Sequence, residues 1–340
     1  MNYSDSTQWT PQRIQNLFHK CDSFLFHSHS ETQQYYHSKN KILINAFFEP
    51  STRTSLSFES AMKRLGGQVI TFNASTSSIK KGEDDRDTIM SLINYGDAIA
   101  IRHPRKEFIH DITQNDDITV PIINAGNGDG DHPTQALVDL YTMYKKFGND
   151  FTTKTILLIG DIRYSRTIHS FLTILHHYPE TKIYMLPYEG CEPHEDDLCK
   201  IRFIHHQYGE DIVLNQETIQ YDSYDVVYIT RKQKERIQQN KKSKSSNDFC
   251  FTNDDANKLK NDAIIMHPLP RNDELHKDVD ANHRAYYFKQ MEYSVQVRMG
   301  ILEYIFMYSS MTIPISTPFH LIPQVFLLSI FITYFWIKNM

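Results

Sequence analysis

Residues 42–67 run from an apolar strand through a short polar turn into an amphipathic helix, and strands alternate with helices from there to residue 266. The strand, Ile42-Leu43-Ile44-Asn45-Ala46-Phe47-Phe48, is short, apolar and free of turn formers. Behind the turn, Phe58, Ala61, Met62 and Leu65 recur at i, i+3, i+4 and i+7, one buried helix face. Gly66-Gly67 ends that helix, and Lys63 and Arg64 suit the negative end of its dipole. Between strand and helix stands Ser51-Thr52-Arg53-Thr54. A helix start needs one hydroxyl as a cap. Three hydroxyls with a guanidinium among them go beyond a cap and suit a phosphate dianion on the unpaired N–H groups.

Strands alternating with helices imply parallel sheets with right-handed crossovers. Further strands are expected at 68–72, 98–101 and 120–124, with helices at 84–95 and 106–112 between them. A second series follows: strands at 155–159, 182–186, 212–214, 225–229 and 263–266, and helices at 167–177 and from His194. At 340 residues the chain can hold two cores. The expected fold is α/β, with two doubly wound parallel-sheet domains and the active site in the cleft between them. The first domain takes residues 1–135 plus a C-terminal helix at about 285–306, the second residues 136–284, and residues 307–340 form an atypical apolar tail.

In open parallel sheets, ligands bind where the carboxyl ends of the strands share one edge. Residues 51–54, Arg102 and, past a glycine-rich loop, His132 each follow such an end in the first half. The second half has its own row: Gly160 to Arg166, Thr230 to Arg236, and His267-Pro268-Leu269-Pro270-Arg271. Taken singly each has a plain alternative. His132 next to Pro133 can shape a turn, Lys80-Lys81 can be loop charge, and Arg231 and Arg236 can belong to a solvated face.

Composition narrows the classes. The net charge of −5 carries no basic excess for nucleic acid. Four cysteines, Cys21, Cys191, Cys199 and Cys250, form no C-x-x-C pair, which points to reduced thiols in a cytoplasmic protein without a disulfide frame or zinc site. The polar N-terminus reads as no signal peptide. No metal and no cofactor are expected: the G-x-S-x-G, H-E-x-x-H and Walker A patterns do not occur, and Gly160-Asp161 lacks the rest of a dinucleotide fingerprint. Residues 238–248 are polar and low in complexity, as in a surface loop. The apolar run at 325–337, interrupted only at Ser329 and Thr333, is short of the ~20 residues a membrane span requires. A membrane role is not expected, and the tail is unexplained.

The run FFEPSTRT followed by SFE resembles the carbamoyl-phosphate loop of the aspartate and ornithine carbamoyltransferases, and five spaced motifs extend the resemblance from Thr10 to Leu302. The resemblance implies roles. Ser51, Thr52, Arg53, Thr54 and Arg102 hold phosphate; Thr54, Arg102 and His132 hydrogen-bond the carbamoyl oxygen; Gln135 faces the carbamoyl amide. Ser77 and Lys81 reach into the site of a neighbouring subunit, Lys81 also touching aspartate. Arg166, Arg231 and Gln233 hold the aspartate carboxylates, and the backbone of Pro268 and Leu269 lies near its amine. Glu49 is the buried carboxylate that ties Arg166 and Arg236. Arg53, Thr54, Lys81, Arg102 and His132 make up the catalytic set. The ornithine branch is similar in carrying H-C-L-P and S-M-G, whereas this chain has His267-Pro268-Leu269-Pro270, and Ser310-Met311 precedes Thr312. The implied substrates are carbamoyl phosphate and L-aspartate, in a homotrimer with shared active sites, with regulatory chains an open addition. A transferase with another amino-acid acceptor and a non-catalytic homologue binding carbamoyl phosphate or a partner chain are the alternatives.

Overall fold

The computed structural model describes residues 2–24, 36–233 and 249–311. Its elements are α1 (Pro11–Ser23), β1 (Ile42–Phe47), α2 (Thr52–Arg64), β2 (Gln68–Asn73), α3 (Asp85–Leu92), β3 (Ala98–His103), α4 (Phe108–Thr113), β4 (Ile122–Asn127) and α5 (Pro133–Phe147). They continue as β5 (Thr155–Gly160), α6 (Arg166–Leu175), β6 (Lys182–Pro187), α7 (Glu195–Ile204), β7 (Val226–Ile229), α8 (Asn253–Lys258), β8 (Ile264–Met266) and α9 (Tyr287–Met311).

The strands make two four-stranded parallel sheets, ordered β2-β1-β3-β4 and β6-β5-β7-β8. Helices cover both faces, so inner strands read as continuous apolar runs: Leu43, Ile44 and Ala46 of β1 and Leu157, Leu158 and Ile159 of β5 are wholly buried. In each sheet the chain leaves the first strand toward one side and returns on the other. This order opens a crevice at the carboxyl ends of β1 and β3, and another at those of β5 and β7. Phe47 pairs with Arg102, so the phosphate-type turn and Arg102 start level with each other. The edge strand β2 is different: Gln68, Ile70, Thr71 and Asn73 are exposed.

Thr10 caps α1 by accepting from Arg13 N at 3.4 Å, with Pro11 at the first helical position. The 25-residue α9 packs across α1, α2 and α5, which places it against the first sheet's helices. Gly300 permits the close approach of α1, since a Cβ there would lie 2.7 Å from Leu17 Cδ1.

One expectation is corrected. Residues 212–214 form no strand: Val213 makes a single bridge with Met185, because one alternating pair of apolar residues is too little to extend a ladder. The loop at 73–83 is folded into two short 3₁₀ turns, Ala74–Thr76 and Ser78–Lys81, held by its own hydroxyls, as where Ser77 Oγ donates to Ala74 O at 2.9 Å. The polar segment 238–248, Arg236 and the apolar run at 325–337 lie outside the described residues. Among the described residues no helix is long and apolar enough to cross a membrane.

Candidate active site

A cavity of about 400 Å³ opens where the carboxyl ends of the two sheets face each other. The first sheet contributes Ser51, Thr52, Arg53, Thr54, Arg102, His132 and Gln135 to its walls. The second contributes Arg166, Arg231, Gln233, Pro268 and Leu269. Every expected site residue of the chain's own cleft is therefore at one cavity. Ser77 and Lys81 are not on it; Lys81 is exposed in the 3₁₀ turn beyond β2.

The turn after β1 leaves its donors available. Ser51 is the N-cap of α2, yet its side chain makes no cap bond, so the hydroxyl and the first helical N–H groups face the cavity mouth unconsumed. Arg53 is exposed into the cavity. Partial desolvation, and then the charge of Arg231 across the cleft, lower its pKa from the ordinary arginine value. Two guanidiniums brought this close across a cleft call for an anion between them.

Arg102 and Arg166 are fixed by one carboxylate. Glu49 Oε1 lies 2.7 Å from Arg102 Nη2 and 3.0 Å from Arg166 Nη2. Arg166 Nη1 also donates to Gly128 O at 2.7 Å. The expected buried Glu49 is instead 24% exposed, standing two residues past the end of β1 in the turn before α2. Its second expected partner, Arg236, is outside the described residues, and Arg102 is tied to it here. Gly126, with φ of +118°, lies beneath the group: a Cβ would approach Arg102 Nη1 to 3.2 Å, Arg166 Cζ to 3.4 Å and His132 Cδ2 to 3.5 Å. The glycine-rich loop thus makes room for three polar side chains on one spot.

His132 is buried at the start of α5. Its backbone N–H donates to Ser170 Oγ at 2.7 Å, and Nε2 lies 3.5 Å from Thr54 Oγ1. Nδ1 is buried without a partner among the described residues. Burial first, then the charges of Arg166, Arg102 and Arg298, drive its pKa well below that of free histidine. It is a neutral imidazole, able to donate one hydrogen bond without adding charge.

On the other wall, Asp161 is wholly buried and accepts from Tyr164 N and Gln233 N, both at 2.9 Å. It pins the segment that carries Arg231 and Gln233. His267 is also wholly buried; its Nδ1 accepts from Leu269 N at 2.8 Å, which leaves Nε2–H for Glu274 Oε1 at 3.0 Å. Leu269 is held at φ of +54°, a region bulky side chains rarely enter. Its backbone is thereby turned to the cavity by contacts around it.

Sequence reasoning placed Ser165, Thr230 and His267 only within strand-end runs and missed Ser57, Thr167, and Met291, Ser294 and Arg298 of α9. Arg298 is 1% exposed, donates to Ser294 O at 3.1 Å and lies over the Phe58 ring at 5.2 Å. Burial lowers its pKa to about 10. The available signal was an arginine between Val297 and Met299 on the buried stripe of a helix, where a charge needs a reason.

Two family models match in tandem. Residues 2–145 match the aspartate/ornithine carbamoyltransferase carbamoyl-P binding domain, and residues 152–305 the Asp/Orn binding domain. The aspartate carbamoyltransferase catalytic subunit of Archaeoglobus fulgidus is 44% identical over 78% of this chain and 85% of its own length. The multifunctional protein pyr-3 of Neurospora crassa is 40% identical over 78% of this chain and 14% of its length. Among solved structures, Trypanosoma cruzi aspartate transcarbamoylase with carbamoyl aspartate and phosphate superposes with a TM-score of 0.77 at 34% identity, covering 89% of this chain and 95% of that one. The same enzyme with N-(phosphonacetyl)-L-aspartic acid gives 0.77 at 35%, covering 89% and 94%. With the whole described fold and both halves of the cleft accounted for, the chain belongs to the aspartate/ornithine carbamoyltransferase family.

Proposed function

We propose that this chain transfers the carbamoyl group of carbamoyl phosphate to the amine of L-aspartate, giving N-carbamoyl-L-aspartate and phosphate for pyrimidine biosynthesis. The observation that carries the reading is two anion-binding sets facing each other across one cavity. Residues 51–54 with Arg102 suit a phosphate; Arg166, Arg231 and Gln233 suit a dicarboxylate, which bidentate guanidiniums match best. The likeness to aspartate carbamoyltransferase catalytic subunits supports the same acceptor.

The resemblance, with these residues lining one cavity, supports the following chemistry. The phosphate rests on Ser51, Thr52, Arg53 and the start of α2. Thr54, Arg102 and neutral His132 donate to the carbamoyl oxygen as negative charge grows on it, and Gln135 faces the amide nitrogen. The aspartate nitrogen, uncharged and aimed by its carboxylates, bonds to the carbamoyl carbon. The carbon–oxygen bond to phosphate breaks, and phosphate leaves with the electron pair and the surplus amine proton. Holding both reactants in one cleft supplies much of the rate.

The reading includes a division of labour: residues 1–135 with about 285–306 for carbamoyl phosphate, residues 136–284 for aspartate, and 307–340 for neither. It also includes a homotrimer in which Ser77 and Lys81 complete a neighbour's site. Supporting this are their absence from their own cavity and the exposed large apolar side chains of the first domain, Leu56 at 58%, Ile70 at 42% and Tyr95 at 61%. The four free thiols favour a cytoplasmic setting. The deciding assay mixes purified chain with carbamoyl phosphate and L-aspartate and measures carbamoyl-aspartate. Product is expected; carbamoylation of another amino acid in its place would replace aspartate as acceptor.

A further inference from the structure

Asp139 lies one helical turn after Gln135 on α5 and is wholly buried. Three neutral donors meet on its carboxylate: Gln135 Nε2 at 2.7 Å, the Tyr228 hydroxyl at 2.9 Å and Gln290 Nε2 at 2.5 Å. They come from α5, β7 and α9, so the carboxylate joins the helix behind the carbamoyl side to both neighbouring elements of the cleft. Gln290 accepts from His267 N at 3.1 Å through its other amide atom. Asp139 therefore also reaches the loop that presents Pro268 and Leu269. Tyr228 lies on β7, three residues before Arg231, which follows the strand's end.

An ionised carboxylate accepts and never donates, so any amide against it must turn its NH₂ inward. For Gln290 the far end confirms that orientation, because Oε1 takes the His267 N–H. For Gln135 the far end is Oε1, and Gln135 lines the cavity. No described residue donates to that oxygen. A carbamoyl group presents N–H donors on its nitrogen, which require an acceptor; a flipped amide would set NH₂ against NH₂.

We propose that Asp139 is a positioning residue whose carboxylate holds the Gln135 amide with Nε2 inward and Oε1 toward the cavity, as the acceptor for the carbamoyl N–H. This rests on the carbamoyl-phosphate reading of the cavity. Burial pushes the carboxyl up to about 7, while its three hydrogen bonds and the Arg298 charge favour the ionised form, so the acceptor-only carboxylate that fixes the amide prevails above neutral pH.

Asp139→Asn keeps the volume and replaces one acceptor by an NH₂ that can donate to Gln135 Oε1 and turn the amide round. Titration calorimetry with carbamoyl phosphate should show binding weakened about tenfold, the effect of one mis-paired buried amide. In turnover, kcat/KM for carbamoyl phosphate should fall in step while the aspartate KM stays within about twofold. The decisive comparison uses Gln135→Ala as background: there Asp139→Asn should change carbamoyl-phosphate binding by less than about twofold, since its effect passes through Gln135. A role confined to packing predicts losses that multiply, or equal weakening toward both substrates, and either result overturns the proposal; so does wild-type binding in Asp139→Asn. If Asp139→Asn does not fold, a crystal structure of wild type with carbamoyl phosphate decides, and a Gln135 carbonyl turned from the carbamoyl nitrogen overturns it. Wild type that binds carbamoyl phosphate but makes no product defeats the transferase reading and leaves the binding comparison standing as the test of Asp139.

Discussion

Arg53 differs from the other cations of the cleft. Arg102 and Arg166 share Glu49, and Arg298 is stacked on Phe58 and bonded to Ser294 O, whereas Arg53 pairs with no described residue. Removing it leaves no buried partner unsatisfied, so Arg53→Ala should keep its Tm within a degree or two of wild type. Loss of one charge-assisted donor to the phosphate should nonetheless remove about 2–4 kcal/mol of transition-state stabilisation. Steady-state kinetics beside a thermal melt check both halves; a change below tenfold in kcat/KM would undo the phosphate-site assignment. At this scale the polar runs were legible because each carries its chemistry in adjacent residues. Ser51-Thr52-Arg53-Thr54 needs no tertiary information to suggest an anion. Asp139 was not legible, since what distinguishes it is burial among groups far away in sequence, and Arg298 showed only as a charge on an apolar helix stripe.

Gly160 shows what an element end can decide. It closes β5 at φ of +115°, and a Cβ there would sit 2.1 Å from Thr230 O, at the end of β7. Gly160→Ala must therefore displace Thr230 and with it Arg231. The expected result is an aspartate KM raised about tenfold, with a Tm lowered by several degrees and carbamoyl-phosphate binding retained. Isothermal titration of each ligand separates these; parallel weakening of both would mean the two walls of the cleft are not independent. In the sequence, Gly160-Asp161 reads only as an incomplete dinucleotide fingerprint. In the structure the glycine permits a backbone contact and the aspartate anchors Gln233. Most strands and helices were visible through apolar period, but the short α8 was not, and at 212–214 a few apolar residues bridge only once.

The whole molecule raises the question of assembly. Lys81→Ala and His132→Ala should each inactivate, the first by removing charge where two anions meet, the second by removing the carbonyl donor. If sites are shared head-to-tail around a closed ring, mixing the two dead chains under subunit exchange leaves about a quarter of sites with His132 from one chain and Lys81 from the next. Activity then returns to a sizeable fraction of wild type. If each site belongs to one chain, every site keeps a defect and the mixture stays silent, which would remove Ser77 and Lys81 from the shared site.

From the order of residues alone came the alternation that builds two parallel sheets and the expectation of an anion-binding turn, and, through the family resemblance, the arginines expected to hold a dicarboxylate. These are local properties: hydrophobic period, turn chemistry and charge are written within a few neighbours. Only tertiary structure decided that His132 is neutral, that Glu49 is shared by Arg102 and Arg166, that Gly126 lies under three site side chains, and that α9 closes the cavity with Arg298. Each depends on desolvation or on contacts between residues tens to hundreds of positions apart, and burial of that kind exists only once the sheets and helices have packed.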